Sequence, residues 1–199
     1  MVEGPRRQAP IVLRAERKLV ALRWGKLPYT IYPLAHVEGG GLGDIRDMAF
    51  TNRSYRYFTG RPLFRFGAGM SLTTFEHGNC SCSPRAHGSD SHVSAFDCGC
   101  TVRNTGVRDG DEVLQVYHAV GEAIRARIGS VHPVPLRKLV GFERLRLAAS
   151  AKAYVSLSVP RQDLRITNAT GLQTEYAGLH SLIFSRGSED DEAVIHVTL

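Results

Sequence analysis

The sequence predicts a mainly β chain whose larger part is an antiparallel β-sandwich. Three observations predict it. From residue 71 onward apolar residues alternate with a period of two, turn residues interrupt them every roughly 8–15 residues, and no strand–helix–strand repeat is present. The composition agrees, because 43% hydrophobic and 22% charged residues in a chain of 199 is the make-up of an ordinary globular protein. No apolar run approaches the ~18 residues of a membrane span, so a membrane partner is not expected.

Phe96, Cys98, Cys100 and Val102 alternate on one face, and their run ends at the turn Asn104-Thr-Gly106. Val113, Gln115 and Tyr117 alternate with Leu114 and Val116 after the turn Arg108-Asp-Gly-Asp111. Val155, Leu157 and Val159 share a face opposite Tyr154, Ser156 and Ser158, and the strand stops at Pro160, which lacks the N–H a ladder needs. Residues 179–185 and 193–199 supply two more strands, separated by a polar turn over 186–191. About seven strands in ~125 residues is the pattern of an immunoglobulin-like or fibronectin type III-like sandwich.

Ahead of the sandwich the texture differs. Residues 11–24 form a basic amphipathic stretch that reads as a short helix, and residues 120–128 read as short helical turns within a loop. Between 27 and 70, Pro28, Pro33, the run Gly39-Gly-Gly41 and the aromatics from Tyr55 to Phe66 mark an extended linker. The expected organisation is a basic leader over 1–26, a linker segment over 27–70 and the sandwich over 71–199.

The formal charge of +6 is concentrated at the start, since residues 1–26 hold seven basic against two acidic side chains and the remainder is nearly neutral. With no basic stripe interleaved with aromatics after residue 27, nucleic acid is not an expected partner. The opening Met1-Val-Glu-Gly-Pro-Arg-Arg has no apolar core of a secretory signal, so localisation is left open. Three Asn-x-Ser/Thr acceptors, at Asn52, Asn79 and Asn168, are glycosylation candidates only in an exported chain.

The run from Asn52 through Arg56-Tyr-Phe-Thr-Gly-Arg-Pro-Leu-Phe-Arg-Phe-Gly-Ala-Gly-Met-Ser-Leu-Thr-Thr-Phe75 resembles the segment that leads into the C-terminal domain of glycoside hydrolase family 3. Further stretches match in order along the chain. Leu27-Pro-Tyr-Thr-Ile-Tyr-Pro33 looks like the strand that ends the family's α/β sandwich domain, so residues 27–70 read as a remnant of that domain plus the aromatic linker. Arg103 to Tyr117 and Pro135-Leu-Arg-Lys-Leu-Val-Gly-Phe-Glu-Arg144 are similar to signature strands of its fibronectin type III-like domain. Residues 178–185 and 195–199 fit its last hairpin. The wording of Leu27-Pro-Tyr-Thr30 and Val116-Tyr-His-Ala119 leans toward the β-xylosidase branch. Arg65, Ala68 and Leu72 depart from the Pro, Tyr or His, and Tyr usual at those places.

The resemblance implies a parent reaction, retaining hydrolysis of terminal β-xylosyl or β-glucosyl residues, with no metal or organic cofactor. Such hydrolysis needs two groups about 5–5.5 Å apart. In the family the nucleophile sits on a barrel, and a complete barrel typically takes about 250 residues. The expectation is a non-catalytic C-terminal structural module with no catalytic residue of its own, whose partners are the barrel and α/β domains of a parent glycosidase. A free-standing module that binds carbohydrate or protein is the alternative.

Several side-chain groups are candidates for chemistry of their own. Cys80-x-Cys82 and Cys98-x-Cys100 each place two sulfurs on one face of a strand, and an antiparallel register would set Cys80 opposite Cys100 and Cys82 opposite Cys98. Reduced core thiols, cross-strand disulfides and a metal site with nearby His77, His87 or His92 all stay open, although one intervening residue is short for a zinc knuckle. Asp109, Asp111 and Glu112 read as turn chemistry, Glu143 as a surface group and Glu189-Asp-Asp-Glu192 as a solvated hairpin tip. His118 and His180 read as satisfied structural residues. The aromatics from Tyr55 to Phe66 read as staples onto the sandwich edge, with sugar stacking as the rival reading.

Overall fold

A computed structural model describes residues 25–38, 52–86, 93–187 and 192–199. The helix expected over 11–24, the triple glycine, His87, His92 and residues 188–191 of the hairpin tip lie outside the described residues.

Two antiparallel sheets face each other. The first has three strands in the order β1 (Phe75–Ala86), β2 (Val93–Asn104) and β5 (Lys152–Pro160). The second has four, β4 (Lys138–Leu147), β3 (Gly110–Val120), β8 (Leu179–Ser185) and β9 (Ala193–Thr198), ordered β4-β3-β8-β9. A two-stranded ribbon, β6 (Ile166–Thr167) and β7 (Gln173–Thr174), closes one end. This is a fibronectin type III-like sandwich.

Period-two alternation places the core. Phe96, Cys98, Cys100 and Val102 from β2, Val155 and Val159 from β5, Leu114 and Val116 from β3, and Leu182 and Phe184 from β8 are all buried in one cluster. Full burial of an aliphatic or aromatic side chain is worth about 1.5–3 kcal/mol. At the far end Val120 packs with Ile124 and Ile128 of the helix Glu122–Gly129 and with Ile166 of β6. That helix is one regular element rather than separate turns, and Ile124 and Ile128, four residues apart, point the same way into this second cluster.

Strand β3 departs from simple alternation, because its outer face is buried too: Gln115 and Tyr117 are as inaccessible as Leu114 and Val116. The described residues of the 27–70 segment cover that face. Within the segment are two short helices, Leu34–Glu38 and Ser54–Tyr57, and an isolated bridge between Ile31 and Phe64. Leu27-Pro-Tyr-Thr30 therefore joins neither sheet. Its backbone turns to Ala68 and Gly67 instead, with Leu27 N–H donating to Ala68 O and Gly67 N–H to Leu27 O, both at 2.8 Å. Gly67 sits at φ +81°, and a Cβ there would lie 2.3 Å from Oε1 of Gln115, so the loop approaches the sheet only because this residue has no side chain.

Candidate functional site

Between the aromatic segment and the outer face of the four-stranded sheet lies a cleft of about 820 Å³. One wall is Tyr55, Phe58 and Phe66, and the other is Tyr117, Arg137 and Glu192. Tyr55 stacks on Phe66 with ring centroids 4.3 Å apart and meets Tyr117 edge-on at 5.7 Å. The Tyr55 hydroxyl accepts the Leu139 N–H at 3.1 Å, which pins the short helix to β4. Tyr117 donates its hydroxyl to Gln115 Oε1 at 2.9 Å, and burial pushes its pKa well above the usual tyrosine range. The Arg137 guanidinium lies 4.9 Å over the Tyr117 ring and pairs with Glu192 at 2.6 Å.

Tyr55 and Phe66 each turn one face to the other and meet Tyr117 edge-on, in the middle of a sheet face and not at the sandwich edge. Glu192, expected at a solvated hairpin tip, is instead held by Arg137 with its side chain only 17% exposed. It is the one carboxylate among the described residues that line the cleft.

A buried ionic cluster anchors the segment at the other end of β3. Glu112 was expected to be a solvated turn residue, yet its side chain is 6% exposed. Its carboxylate accepts from Lys26 Nζ at 2.8 Å and from the Val113 N–H at 2.8 Å, and it faces Arg186 at 3.8 Å. Lys26 Nζ also donates to the Arg186 carbonyl at 2.6 Å. Arg186 reaches on to the Phe75 carbonyl and to His77 Nδ1, so four separated parts of the chain meet at one carboxylate. Burial first, and the Arg186 charge second, hold His77 below the usual histidine range. The sequence carried a signal for this site: Glu112 has the same parity as Leu114 and Val116, and so points into the core.

His118 shares that parity at the opposite end of β3. Its ring lies 2.8 Å from His180 Nδ1, and His180 Nε2 lies 2.7 Å from the Tyr176 carbonyl oxygen. A carbonyl only accepts, so His180 carries its proton on Nε2, its Nδ1 accepts, and His118 donates from Nε2. Both rings are neutral in this arrangement. Burial is the main cause that lowers each pKa, to about 3 for His118.

The remaining expected residues are scattered. Cys82 and Cys98 are register partners across β1 and β2, and a bulge between Gly78 and Ser81 precedes them. Both Cys80 with Cys100 and Cys82 with Cys98 have Cα atoms 4.1 Å apart with sulfurs placed for bonding. The expected outcome for the oxidised chain is two cross-links, seen as four thiols that resist alkylation until reduced. Because the loops are nested, at separations of 20 and 16 residues, the effects will not add. Closing a loop of this size is worth about 3 kcal/mol, and the second bond then constrains only a few more residues. Cys80→Ala/Cys100→Ala should therefore cost under about 1 kcal/mol, whereas removing both pairs should cost roughly 3. Urea midpoints check this, and additive losses would refute it.

Asn52 and Asn79 are exposed, while Asn168 is engaged within its own turn, accepting from Thr170 and Leu172 and donating to Thr174. Asp111 pairs with Arg144, Asp109 accepts the Ala149 N–H, and Glu143 is exposed. Among the described residues no three His, Cys, Asp or Glu side chains converge as metal ligands, and no helix is long and apolar enough to cross a membrane.

Comparison with known proteins places this architecture. Residues 112–180 match the fibronectin type III-like domain family. The chain is 30% identical over 169 residues to a xylan 1,4-β-xylosidase of Xylanibacter ruminicola, covering 84% of this chain and 18% of that protein. It is 26% identical to β-D-xylosidase 3 of Arabidopsis thaliana, covering 79% and 23%. Among solved structures, a β-glucosidase from Streptomyces venezuelae aligns with a TM-score of 0.61 at 28% identity, over 75% of this chain and 18% of that one. The chain thus spans about a fifth of the length of the curated relatives it matches. In those larger enzymes the matching region is one part of a multidomain protein. With the fold, the matched domain and the relatives in agreement, the chain belongs with the glycoside hydrolase family 3 β-xylosidases and β-glucosidases and corresponds to their C-terminal part, fibronectin type III-like domain included.

Proposed function

We propose that the chain is a non-catalytic structural module, and that its 27–70 segment, with the residues that lead from it into β1, packs against the other domains of a family 3 glycosidase. One observation carries the reading. While the inner side of this segment is fastened to β3, its outer side exposes Tyr29, Leu34, Leu63, Phe64, Met70 and Leu72, each 48–91% accessible. Apolar side chains gathered on one segment in this way mark a surface that other protein covers. The parent reaction would be retaining hydrolysis of terminal β-xylosyl or β-glucosyl residues, with the nucleophile supplied from outside this chain. The cleft supports a non-catalytic role, since a two-carboxylate mechanism needs a second acid and a free first one. Among the described residues Glu192 is the one carboxylate there, and it is bound to Arg137.

The test is direct. Purified chain incubated with aryl β-xyloside and aryl β-glucoside is expected to release no aryl alcohol, and turnover that survives repurification would overturn the proposal. Grafted in place of the corresponding region of the Xylanibacter ruminicola relative, the chain should give a folded enzyme that Leu63→Asp/Phe64→Asp destabilises. The rival reading, carbohydrate binding, predicts retention on insoluble xylan. Because Tyr55 and Phe66 are stacked on each other, none is expected.

A further inference from the structure

We propose that the chain binds one small oxyanion of the phosphate or sulfate class in a cavity of about 110 Å³, where Arg56, Lys138 and Arg165 converge. The three cations come from three elements: Arg56 from the helix Ser54–Tyr57, Lys138 from the first position of β4, and Arg165 from the residue that follows the 3-10 turn Arg161–Leu164. Among the described residues, none that lines the cavity is acidic.

Two described carboxylates, Glu175 and Asp163, bear on this charge. Glu175 is close enough to Arg165 to feel its charge, but its Oε1 is taken by both Nε and Nη2 of Arg161. Lys138 Nζ donates at 2.7 Å to the backbone carbonyl of Asp163, a neutral acceptor. The Asp163 carboxylate favours the lysine charge, but burial chiefly, and Arg56 in addition, push the Lys138 pKa down. Among the described residues that bear on one another here, four cations, Arg161 included, face two carboxylates.

The rest of the lining fits a tetrahedral oxyanion. His118, opposite Lys138 in the β3–β4 register, contributes a neutral ring. Thr167 Oγ1 accepts from Gln173 Nε2 at 2.7 Å, which leaves its hydroxyl hydrogen free to donate into the cavity. The space is large enough for one such anion. Guanidinium and ammonium donors on separate elements suit an acceptor with several oxygens, and a monatomic halide cannot reach all of them. An anion held here would clamp the segment helix to the sandwich independently of the role proposed above.

The experiment is calorimetric titration of the full chain with inorganic phosphate and, separately, with a sugar phosphate ester, at ionic strength fixed by sodium chloride. Saturable one-to-one binding is expected, together with a melting temperature raised by phosphate and not by equivalent chloride. If the free ion is the occupant, inorganic phosphate will bind and the ester will not. If an ester is the occupant, it will bind the more tightly. Arg56→Ala/Arg165→Ala should weaken binding at least about tenfold. Since Arg165 is exposed, Arg165→Ala alone supplies a folded variant with a measurable loss should the double variant fail to fold. Absence of binding by both probes, or unchanged affinity in the variants, would overturn the site.

Discussion

Glu112→Ala is expected to cost about 3–5 kcal/mol, enough to unfold much of the chain at physiological temperature. The reason is what the substitution leaves behind. Lys26 and Arg186 have side chains only 16% and 17% exposed; without the carboxylate Lys26 loses the partner it holds at 2.8 Å, and Arg186 loses the larger of the two carboxylate charges that favour its own. The Val113 N–H loses its acceptor as well. Replacing both members of the closest pair, as in Glu112→Met/Lys26→Met, should recover much of the loss, because an apolar pair of similar volume carries no desolvation penalty. Urea denaturation gives both numbers. A single-variant cost below about 1 kcal/mol would show that the cluster is solvated in the working protein. The segment should also loosen first, so cleavage by a protease within residues 25–38 is expected to precede global unfolding of Glu112→Ala.

Acid should weaken the fold well before carboxylates titrate. His77, His118 and His180 all have pKa values below the ordinary histidine value of 6.5. A histidine depressed in the folded state binds its proton more readily when unfolded. Stability is therefore complete above the unfolded value, near pH 6.5, and declines as the pH falls below it. For His118 the decline continues to about pH 3, at about 1.4 kcal/mol per pH unit. His180 adds to the slope, since protonating Nδ1 would set two donors against each other across 2.8 Å. Glu175, whose pKa is lowered by its hydrogen bond to Arg161, contributes in the same direction, but only below the usual glutamate range. The window from about pH 6.5 to about pH 4.5 thus belongs to the histidines. Unfolding free energies measured across it should fall steeply in the native chain and less steeply in His118→Gln, which keeps a donor for His180 but cannot titrate. A flat profile would refute the neutral pair.

Much of the sandwich was legible in the sequence because its determinants are local. Alternation in β2 and β5 predicted which side chains face inward, and Phe96, Cys98, Cys100 and Val102 do. Pro160 marked the end of β5, where the absent N–H halts the ladder. The ordered motifs from Asn52 to Phe75 and from Arg103 to Tyr117 carried the family, since chain order survives without knowledge of contacts. The candidate site was far less legible. Glu112 beside Asp109 and Asp111 looks like turn solvation until Lys26, 86 positions earlier, and Arg186 are brought to it. His118 and His180 stand 62 residues apart, and only the β3–β8 register makes them partners.

By itself, then, the sequence determined the strand pattern, the inward face of β2 and β5, and the membership in a family of multidomain hydrolases, because each rests on spacing along the chain. The tertiary structure alone decided that the aromatic segment lies across the outer face of β3, that Glu112 and Glu192 are ion-paired and not solvated, and that three cations converge on one cavity. Burial and charge pairing depend on which distant elements meet, and a period of two records which way a side chain points but not what waits there.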